Sequence, residues 1–197
     1  MIGYAFQGGT DMAYLFDPDV LGRCAALGCD RPLDEAFDVI TAALAREYPG
    51  HVNTGPRRWI FNNAGGAKGV LHLLHGSITE YLIFFGSDIG TQGHSGIYRT
   101  EVFDWLFAGE MWCQEGQDPN RKVYRPGSKA YLGADAVKYY KLPERGWMLE
   151  YSRGPIITML PFGLADSALS TLDYRALGQT LGTYGKLCVK ELLKGKI

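Results

Sequence analysis

Two amphipathic helices are predicted near the start of the chain. Asp17 and Pro18 offer an N-cap followed by a proline at the first helical position, and residues 30–32 repeat this signal. After the second signal, apolar residues recur at helical spacing from Leu33 to Leu44, and the Tyr-Pro-Gly sequence at 48–50 ends the run. The apolar stripe of this second helix must pack against another element of the fold.

Short strands separated by turns are predicted for the middle of the chain. Residues 81–85 form a continuous apolar run that ends at Gly86, which is typical of a buried strand. Further on, strand patterns alternate with turns at residues 119–120 and 126–127, both of which begin with proline. These strand patterns cover residues 97–107, 111–114, 122–124, 131–132, 137–142 and 147–151. Several short strands at close spacing predict a small barrel or a jelly roll at the centre of the fold.

A helical pattern returns in the last part of the chain. Ser170 and Asp173 resemble a capping box, so we expect a C-terminal helix to begin there. From Tyr174 to Leu192 the apolar residues recur at spacings of three and four, and lysines cluster at the C-terminal end. This stripe suits two roles, since it can cover the barrel or lie on a membrane surface.

Length and composition are those of one folded domain. We divide the 197 residues into N-terminal helices (12–50), a barrel (60–160) and C-terminal helices (161–194). Hydrophobic residues make up 46% and charged residues 21%, and the net charge of -1 argues against nucleic acid as a partner. The four cysteines contain no CxxC pair and are expected to be reduced thiols. The longest apolar runs fall short of the roughly 20 residues that a membrane-spanning helix needs.

Two acidic residues lie within apolar strand patterns. Asp104 and Glu150 are flanked by apolar residues on both sides, so each carboxyl group is expected to be desolvated in either register. Desolvation raises the pKa of a carboxyl group. If the two face each other in a barrel, they share a proton and provide an acid and a base for an apolar substrate. The alternative is that each acid is structural and paired with an arginine such as Arg99 or Arg153.

Other chemistries receive less support from the sequence. His72 and His75 have a spacing that places two imidazoles on one helix face, but an apolar run is more typical of core histidines than of metal ligands. Ser95 lies between glycines without matching the GxSxG pattern of a nucleophile. The glycine-rich segment 65–69 matches neither a P-loop nor a dinucleotide-binding motif. We therefore expect neither a metal nor a cofactor.

Six short motifs occur in the order and with the spacing of one known family. They are Asn63-Ala64-Gly65-Gly66, Glu80-Tyr81 followed by the apolar run to Gly86, Gly93-His94-Ser95-Gly96, Arg125-Pro126-Gly127, Glu150-Tyr151-Ser152-Arg153-Gly154 and Ala165-Asp166. Together they resemble the family of fungal C-8 sterol isomerases and the sigma-1 receptor. The likeness runs from about residue 14 to residue 193, so no single motif has to carry it.

The resemblance implies a fold of class α+β, mainly β, with a cupin-like β-barrel, N-terminal helices and C-terminal amphipathic helices packed at the mouth of the barrel. It also implies a homotrimer and peripheral membrane contact through the C-terminal helices. Residues 1–12 contain no hydrophobic anchor of the kind that most relatives carry. We therefore expect membrane association without a transmembrane helix, at the endoplasmic reticulum if the cell is eukaryotic.

The family contains an enzyme branch and a receptor branch. Members of the enzyme branch move a sterol double bond from position 8 to position 7 without a cofactor. Carbon 9 is protonated and carbon 7 loses a proton, with a carbocation at carbon 8 between the two steps. The receptor binds lipophilic amines. Two functions stay open for this chain: an isomerase that acts on a sterol, or a non-catalytic module that binds an amine or a sterol.

The resemblance also assigns site residues. Asp104 and Glu150 match the acid pair that binds amines in the receptor, and Tyr81 matches the tyrosine that hydrogen-bonds the glutamate. One of the two acids is expected to donate a proton and the other to accept one. Glu101 is a third catalytic candidate because the fungal enzymes carry an acid there; otherwise it is hydrogen-bonded to His94 or to a backbone amide. The expected substrate-binding residues are Tyr81, Leu73, Ile83, Phe85, Val102 and Tyr184.

Overall fold

Two antiparallel sheets form the centre of the computed structural model, which describes residues 14–196. The strands are β1 (Ile60–Ala64), β2 (Ala67–Gly76), β3 (Glu80–Ser87), β4 (Thr91–His94), β5 (Glu101–Gly109), β6 (Met111–Glu115), β7 (Lys122–Tyr124), β8 (Lys129–Leu132), β9 (Lys138–Leu142) and β10 (Gly146–Arg153). The larger sheet has the order β1-β2-β3-β10-β5-β8, and the smaller sheet has the order β4-β9-β6-β7.

The larger sheet is covered on both faces, which explains why its strands are apolar throughout. In β10, Leu149 and Tyr151 belong to a core that includes Phe37, whereas Met148 faces the opposite side together with Ile83 of β3. Successive side chains of a strand point to opposite faces, so one face of this sheet meets the N-terminal helices and the other faces the smaller sheet. Every second residue along the strands of the larger sheet therefore lines the space between the two sheets.

The two N-terminal helices are confirmed as α1 (Pro18–Ala26) and α2 (Leu33–Glu47). Asp17 caps α1, because its side chain accepts a hydrogen bond of 2.7 Å from the backbone N–H of Asp19. The predicted second cap is wrong. Asp30 has a left-handed φ of 59°, and the residue before α2 is Pro32, which has no side chain that can accept a capping hydrogen bond.

Three helical segments follow the last strand: a 3-10 turn at Ile156–Thr158, α3 (Leu160–Leu169) and α4 (Tyr174–Leu192). Asp173 caps α4 by accepting a hydrogen bond of 2.9 Å from the N–H of Ala176. The predicted capping box is wrong in its first residue, since Ser170 lies at the C-terminal end of α3. The two helices contact β1 and β2 and cover one end of the space between the sheets.

The prediction of a mainly β fold with flanking helices is confirmed, but the two sheets do not close into one hydrogen-bonded barrel in the part of the chain that is described. They approach each other where β4 passes the β1–β2 turn, and the N–H of His94 donates to the carbonyl oxygen of Gly65 at 2.9 Å. Within residues 14–196, no helix combines the length and the apolar character that crossing a membrane requires.

Candidate active site

An apolar cavity of about 190 Å³ lies between the two sheets beneath α3 and α4. Its wall contains side chains from both sheets and from both helices, including Leu132 of β8, Phe162 of α3 and Leu181 of α4. The residues that the sequence analysis expected to bind substrate all belong to this wall. They are Leu73, Tyr81, Ile83, Phe85, Val102 and Tyr184.

Asp104 and Glu150 face each other across neighbouring strands in this wall. They are directly paired in the register of β5 and β10, which places both side chains on the same face of the larger sheet. Asp104 is buried, and Glu150 borders the cavity. The structure therefore brings together the two acids that the sequence singled out for their apolar surroundings.

Lys138 of β9 is a charged residue of the cavity wall that the sequence analysis missed. Its Nζ lies 2.7 Å from Oδ2 of Asp104, and both side chains are only 5% exposed. Arg153, one of the two suggested arginine partners of the acid pair, pairs with Glu101 instead. Strand alternation could have indicated that Lys138 is buried, because it lies on the same face of β9 as the buried Leu142.

Glu150 is held by Tyr81, whose hydroxyl donates a hydrogen bond of 2.5 Å to Oε1. Burial and then the nearby Asp104 carboxylate raise the pKa of Glu150 to about 7, against the opposing effects of Tyr81 and Lys138. Burial lowers the pKa of Lys138, but Asp104, Cys113 and Glu150 together raise it by more, so the net shift is upward. The wall thus holds the Lys138–Asp104 ion pair beside a glutamate whose pKa is close to neutral pH.

Glu101 lies outside the cavity, on the opposite face of β5 from Asp104. Its carboxylate accepts hydrogen bonds from Arg153 Nε, at 2.6 Å, and from the hydroxyl of Tyr131. Burial acts to raise the pKa of Glu101, but these two partners lower it overall. The hydrogen-bond partners predicted for this side chain, His94 or a backbone amide, are therefore wrong, and Glu101 is separated from the acid pair by the sheet itself.

His72 and His75 lie on β2 and not on a helix. Nδ1 of His75 is 2.8 Å from the carbonyl oxygen of His51, and Nδ1 of His72 is 3.3 Å from backbone atoms of Arg58. Burial lowers the pKa of both imidazoles. Among residues 14–196, no group of three or more His, Cys, Asp or Glu side chains is arranged to hold a metal ion.

The arrangement suits proton transfer to and from an apolar molecule. One wall of a mostly apolar cavity presents a carboxyl group that can carry a proton near pH 7 and a second carboxyl group that is paired with a cation. Two carboxyl groups in these different surroundings can donate a proton at one atom of a ligand and accept one at another.

A model of the family described as "ERG2 and Sigma1 receptor like protein" matches residues 1–196. The protein named C-8 sterol isomerase ERG2 of Gibberella zeae is 41% identical, over 98% of this chain and 83% of its own length. The C-8 sterol isomerase of Pyricularia oryzae is 44% identical over 70% of this chain and 62% of its own length. Sigma non-opioid intracellular receptor 1 of Gallus gallus is 36% identical over 88% of this chain and 78% of its own length.

Among solved structures, part of this chain is similar to an RmlC-like cupin from Shewanella frigidimarina, with a TM-score of 0.44 and 17% identity over 53% of this chain and 89% of that chain. KdgF from a Halomonas species has a TM-score of 0.43 and 10% identity over 53% of this chain and 92% of that chain. Both similarities cover about half of the chain, at identities that carry no information about function.

Proposed function

This chain belongs to the family of ERG2 and Sigma1 receptor like proteins, and from that premise we propose that it is a C-8 sterol isomerase. The proposed reaction moves a ring double bond of a sterol from position 8 to position 7. The observation that carries the proposal is the pairing of Asp104 and Glu150 on the wall of an apolar cavity. The reaction adds one proton and removes another, so a pair of carboxyl groups is sufficient for it.

We assign the role of proton donor to Glu150. Its pKa of about 7 leaves a large fraction protonated at neutral pH, and the hydrogen bond from Tyr81 fixes one of its oxygens. The proton passes from the carboxyl group to carbon 9, the double-bond electrons form the new C–H bond, and a carbocation remains at carbon 8. Tyr81 thereby acts as a positioning residue for the donor.

Asp104 is the proposed proton acceptor. Lys138 bonds Oδ2, and the other carboxylate oxygen, Oδ1, can take the proton from carbon 7 while the electrons of that C–H bond form the new double bond. After product release Asp104 gives this proton to solvent, and Glu150, its neighbour across the β5–β10 pair, takes up one proton from solvent. Protons and charges balance over the cycle, and nothing other than the two carboxyl groups is consumed or regenerated.

The wall also suits the positive charge that forms during the reaction. Glu150 becomes negative as the carbocation forms, so the net charge of the cavity does not change during proton transfer. Tyr98 and Tyr140 line the cavity close to both acids, and aromatic faces stabilise cations in apolar surroundings. Fixed groups of this kind stabilise a charged intermediate without reorganising.

The first test uses an 8-unsaturated sterol, detergent and deuterated water, with product analysis by mass spectrometry. We expect the 7-unsaturated isomer with one deuterium from solvent. Glu150→Gln should lower the rate by about 10²- to 10⁴-fold because the donor is lost. Glu101→Gln is the matched control on the outer face of the sheet and should retain wild-type activity. Full activity in Glu150→Gln, or an equal loss in Glu101→Gln, would contradict the assigned roles.

A second candidate function is a binding module for lipophilic amines. It is supported by the two carboxyl groups in an apolar cavity and by the similarity to proteins named as sigma receptors. The same experiment separates the two functions. No conversion of the sterol, together with tight binding of a lipophilic amine that Glu150→Gln weakens, would favour the binding module.

We further propose peripheral membrane contact through α3 and α4, supported by exposed apolar side chains along this surface. These include Leu169, Leu172, Leu181 and Val189. The protein should float with phosphatidylcholine vesicles, and replacing Leu169 and Leu172 by serine should reduce the bound fraction. Ile89→Ser is the control, since Ile89 is fully exposed on the turn between β3 and β4, and this variant should float like the wild type.

A homotrimer and a location at the endoplasmic reticulum are proposals supported by the family resemblance. Light scattering after gel filtration tests the first, with an expected mass of about three times the 21.8 kDa of the chain. Imaging of a fluorescent fusion in the source cell tests the second.

A further inference from the structure

Lys138 is buried in the cavity wall, where the proposed reaction assigns it no proton to carry. We propose that Lys138 determines ligand specificity: by neutralising Asp104, it lowers the affinity of the cavity for cations and favours neutral lipids such as sterols over lipophilic amines. The inference rests on the proposed function in so far as the ligand is a neutral sterol. The observation behind it is the contact of 2.7 Å between two side chains that are each 5% exposed.

The backbone fixes the position of this lysine. The N–H of Lys138 donates to the hydroxyl oxygen of Ser95 at 3.0 Å, and the N–H of Ser95 donates to the carbonyl oxygen of Lys138 at 2.9 Å. The residue also begins β9, which pairs with β4 and β6 on its two sides. Moving the side chain out of the wall would leave a buried carboxylate without its cation, which is costly. The positive charge is therefore a constant feature of the cavity.

The charges of the wall explain the expected preference. With Glu150 protonated, the wall carries one negative charge on Asp104 and one positive charge on Lys138, so its net charge is zero. A neutral sterol leaves this balance unchanged. An ammonium group brings an extra positive charge into an apolar space unless Glu150 first loses its proton. Without the lysine, Asp104 would be available as the counter-ion of the amine.

Lys138 does not disfavour the carbocation of the proposed reaction in the same way. It forms by transfer of a proton that is already present on Glu150, so a negative charge appears beside it at the same moment. An amine, in contrast, arrives with its charge from solvent. Lys138 thus discriminates between a cation made inside the cavity and a cation taken up from outside.

The test compares two ligands of equal chain length, N,N-dimethyloctylamine and octan-1-ol, by isothermal titration calorimetry at one pH. The ratio of the two Kd values, amine over alcohol, cancels changes in packing that affect both ligands alike. Lys138→Met and Lys138→Gln should each lower this ratio by about tenfold or more, because a fixed positive charge is lost from a site of low polarity. Lys138→Arg keeps the charge and should stay within about twofold of the wild type.

Lys129→Met is the matched control, since Lys129 is an exposed lysine on β8. Its ratio should equal that of the wild type. Lys138→Gln keeps a hydrogen-bond donor for Asp104 and decides the matter if Lys138→Met does not fold. An unchanged ratio in the neutral variants that fold, or an equal change in Lys129→Met, overturns the proposal. Binding and turnover are measured separately, so the two proposals can fail separately. If the Lys138 variants lower the Kd ratio but the wild type does not convert the sterol, only the isomerase proposal is refuted. If the wild type converts the sterol but the Kd ratio is unchanged in the variants, only the role of Lys138 is refuted.

Discussion

At the scale of the residue, the protonation state of Glu150 should control catalysis. The titratable and charged groups around it come from three strands and the loop before β5, and they are Asp104, Tyr81, Tyr98, Lys138 and Tyr140. Because the donor form is lost above a pKa of about 7, kcat/KM should fall about tenfold per pH unit on the alkaline side. Steady-state rates between pH 5.5 and 9 measure this, and a flat profile across pH 6 to 8.5 would rule out Glu150 as the donor.

The same carboxyl group should also affect stability. Its pKa is raised from 4.5 to about 7, so the folded protein binds this proton more tightly than the unfolded chain does between these values. Unfolding free energy therefore falls as pH rises from 4.5 to 7, by an amount on the order of 3 kcal/mol from this group. Glu150→Gln removes this dependence. In urea unfolding, the unfolding free energy of the variant minus that of the wild type should therefore be larger at pH 8 than at pH 5. An equal difference at both pH values would contradict the assignment.

At the scale of the element, the close approach of β4 to the β1–β2 turn keeps the cavity closed on one side. A Cβ added at Gly93 would lie 2.5 Å from the backbone nitrogen of Ala67 and 2.6 Å from the carbonyl oxygen of Gly65. Both obstacles are backbone atoms, so the strands must separate. Gly93→Ala should destabilise the protein by about 1–3 kcal/mol in urea unfolding.

Gly182 provides the contrasting case within α4. It is exposed, and an added Cβ would meet no atom within 4 Å of the described structure. Alanine favours the helical backbone more than glycine does, so Gly182→Ala should stabilise by about 0.5–1 kcal/mol. If Gly93→Ala and Gly182→Ala changed stability in the same direction, the close backbone contacts of Gly93 would not explain the effect of Gly93→Ala.

At the scale of the whole molecule, Glu80 joins both ends of the described chain to the larger sheet. Its fully buried carboxylate accepts hydrogen bonds from the N–H groups of Leu15 and Phe16, from the Tyr151 hydroxyl at 2.6 Å, and pairs with Lys196 Nζ at 2.7 Å. Burial acts to raise the pKa of Glu80, but these donors lower it overall. The carboxylate therefore stabilises the fold above the pKa of an unfolded glutamate, and this contribution is lost as pH falls through the folded value.

Replacing Glu80 should therefore be costly. Glu80→Ala leaves several buried donors without their acceptor and should destabilise by about 3–5 kcal/mol at pH 7. Glu115→Ala is the control, because Glu115 forms a more exposed pair with Lys122 and should cost less than about 1 kcal/mol. Urea unfolding measures the free energy of unfolding of both variants. Similar losses of stability in the two would show that burial does not explain how strongly the Glu80 contacts stabilise the fold.

The helices, most of the strands and the two acids of the candidate site could be predicted from the sequence alone. Periodicity located the helices and most strands, because a spacing of 3.6 or 2 residues reflects which faces are buried. It also singled out Asp104 and Glu150, since carboxyl groups within apolar strands are unusual in any register. The two predicted caps that failed, at Asp30 and Ser170, depend on local backbone angles that neighbouring elements impose.

Which charged residues share the cavity depends on how the strands pair and how the two sheets pack. Strand pairing across the larger sheet placed Glu150 beside Asp104, while alternation along β5 turned Glu101 to the outer face. Lys138 comes from the other sheet, 34 residues away from Asp104 in the chain, and no local pattern specifies a contact between two sheets. Local spacing records which side of a strand is buried, whereas the partner across a cavity is set by how whole sheets pack.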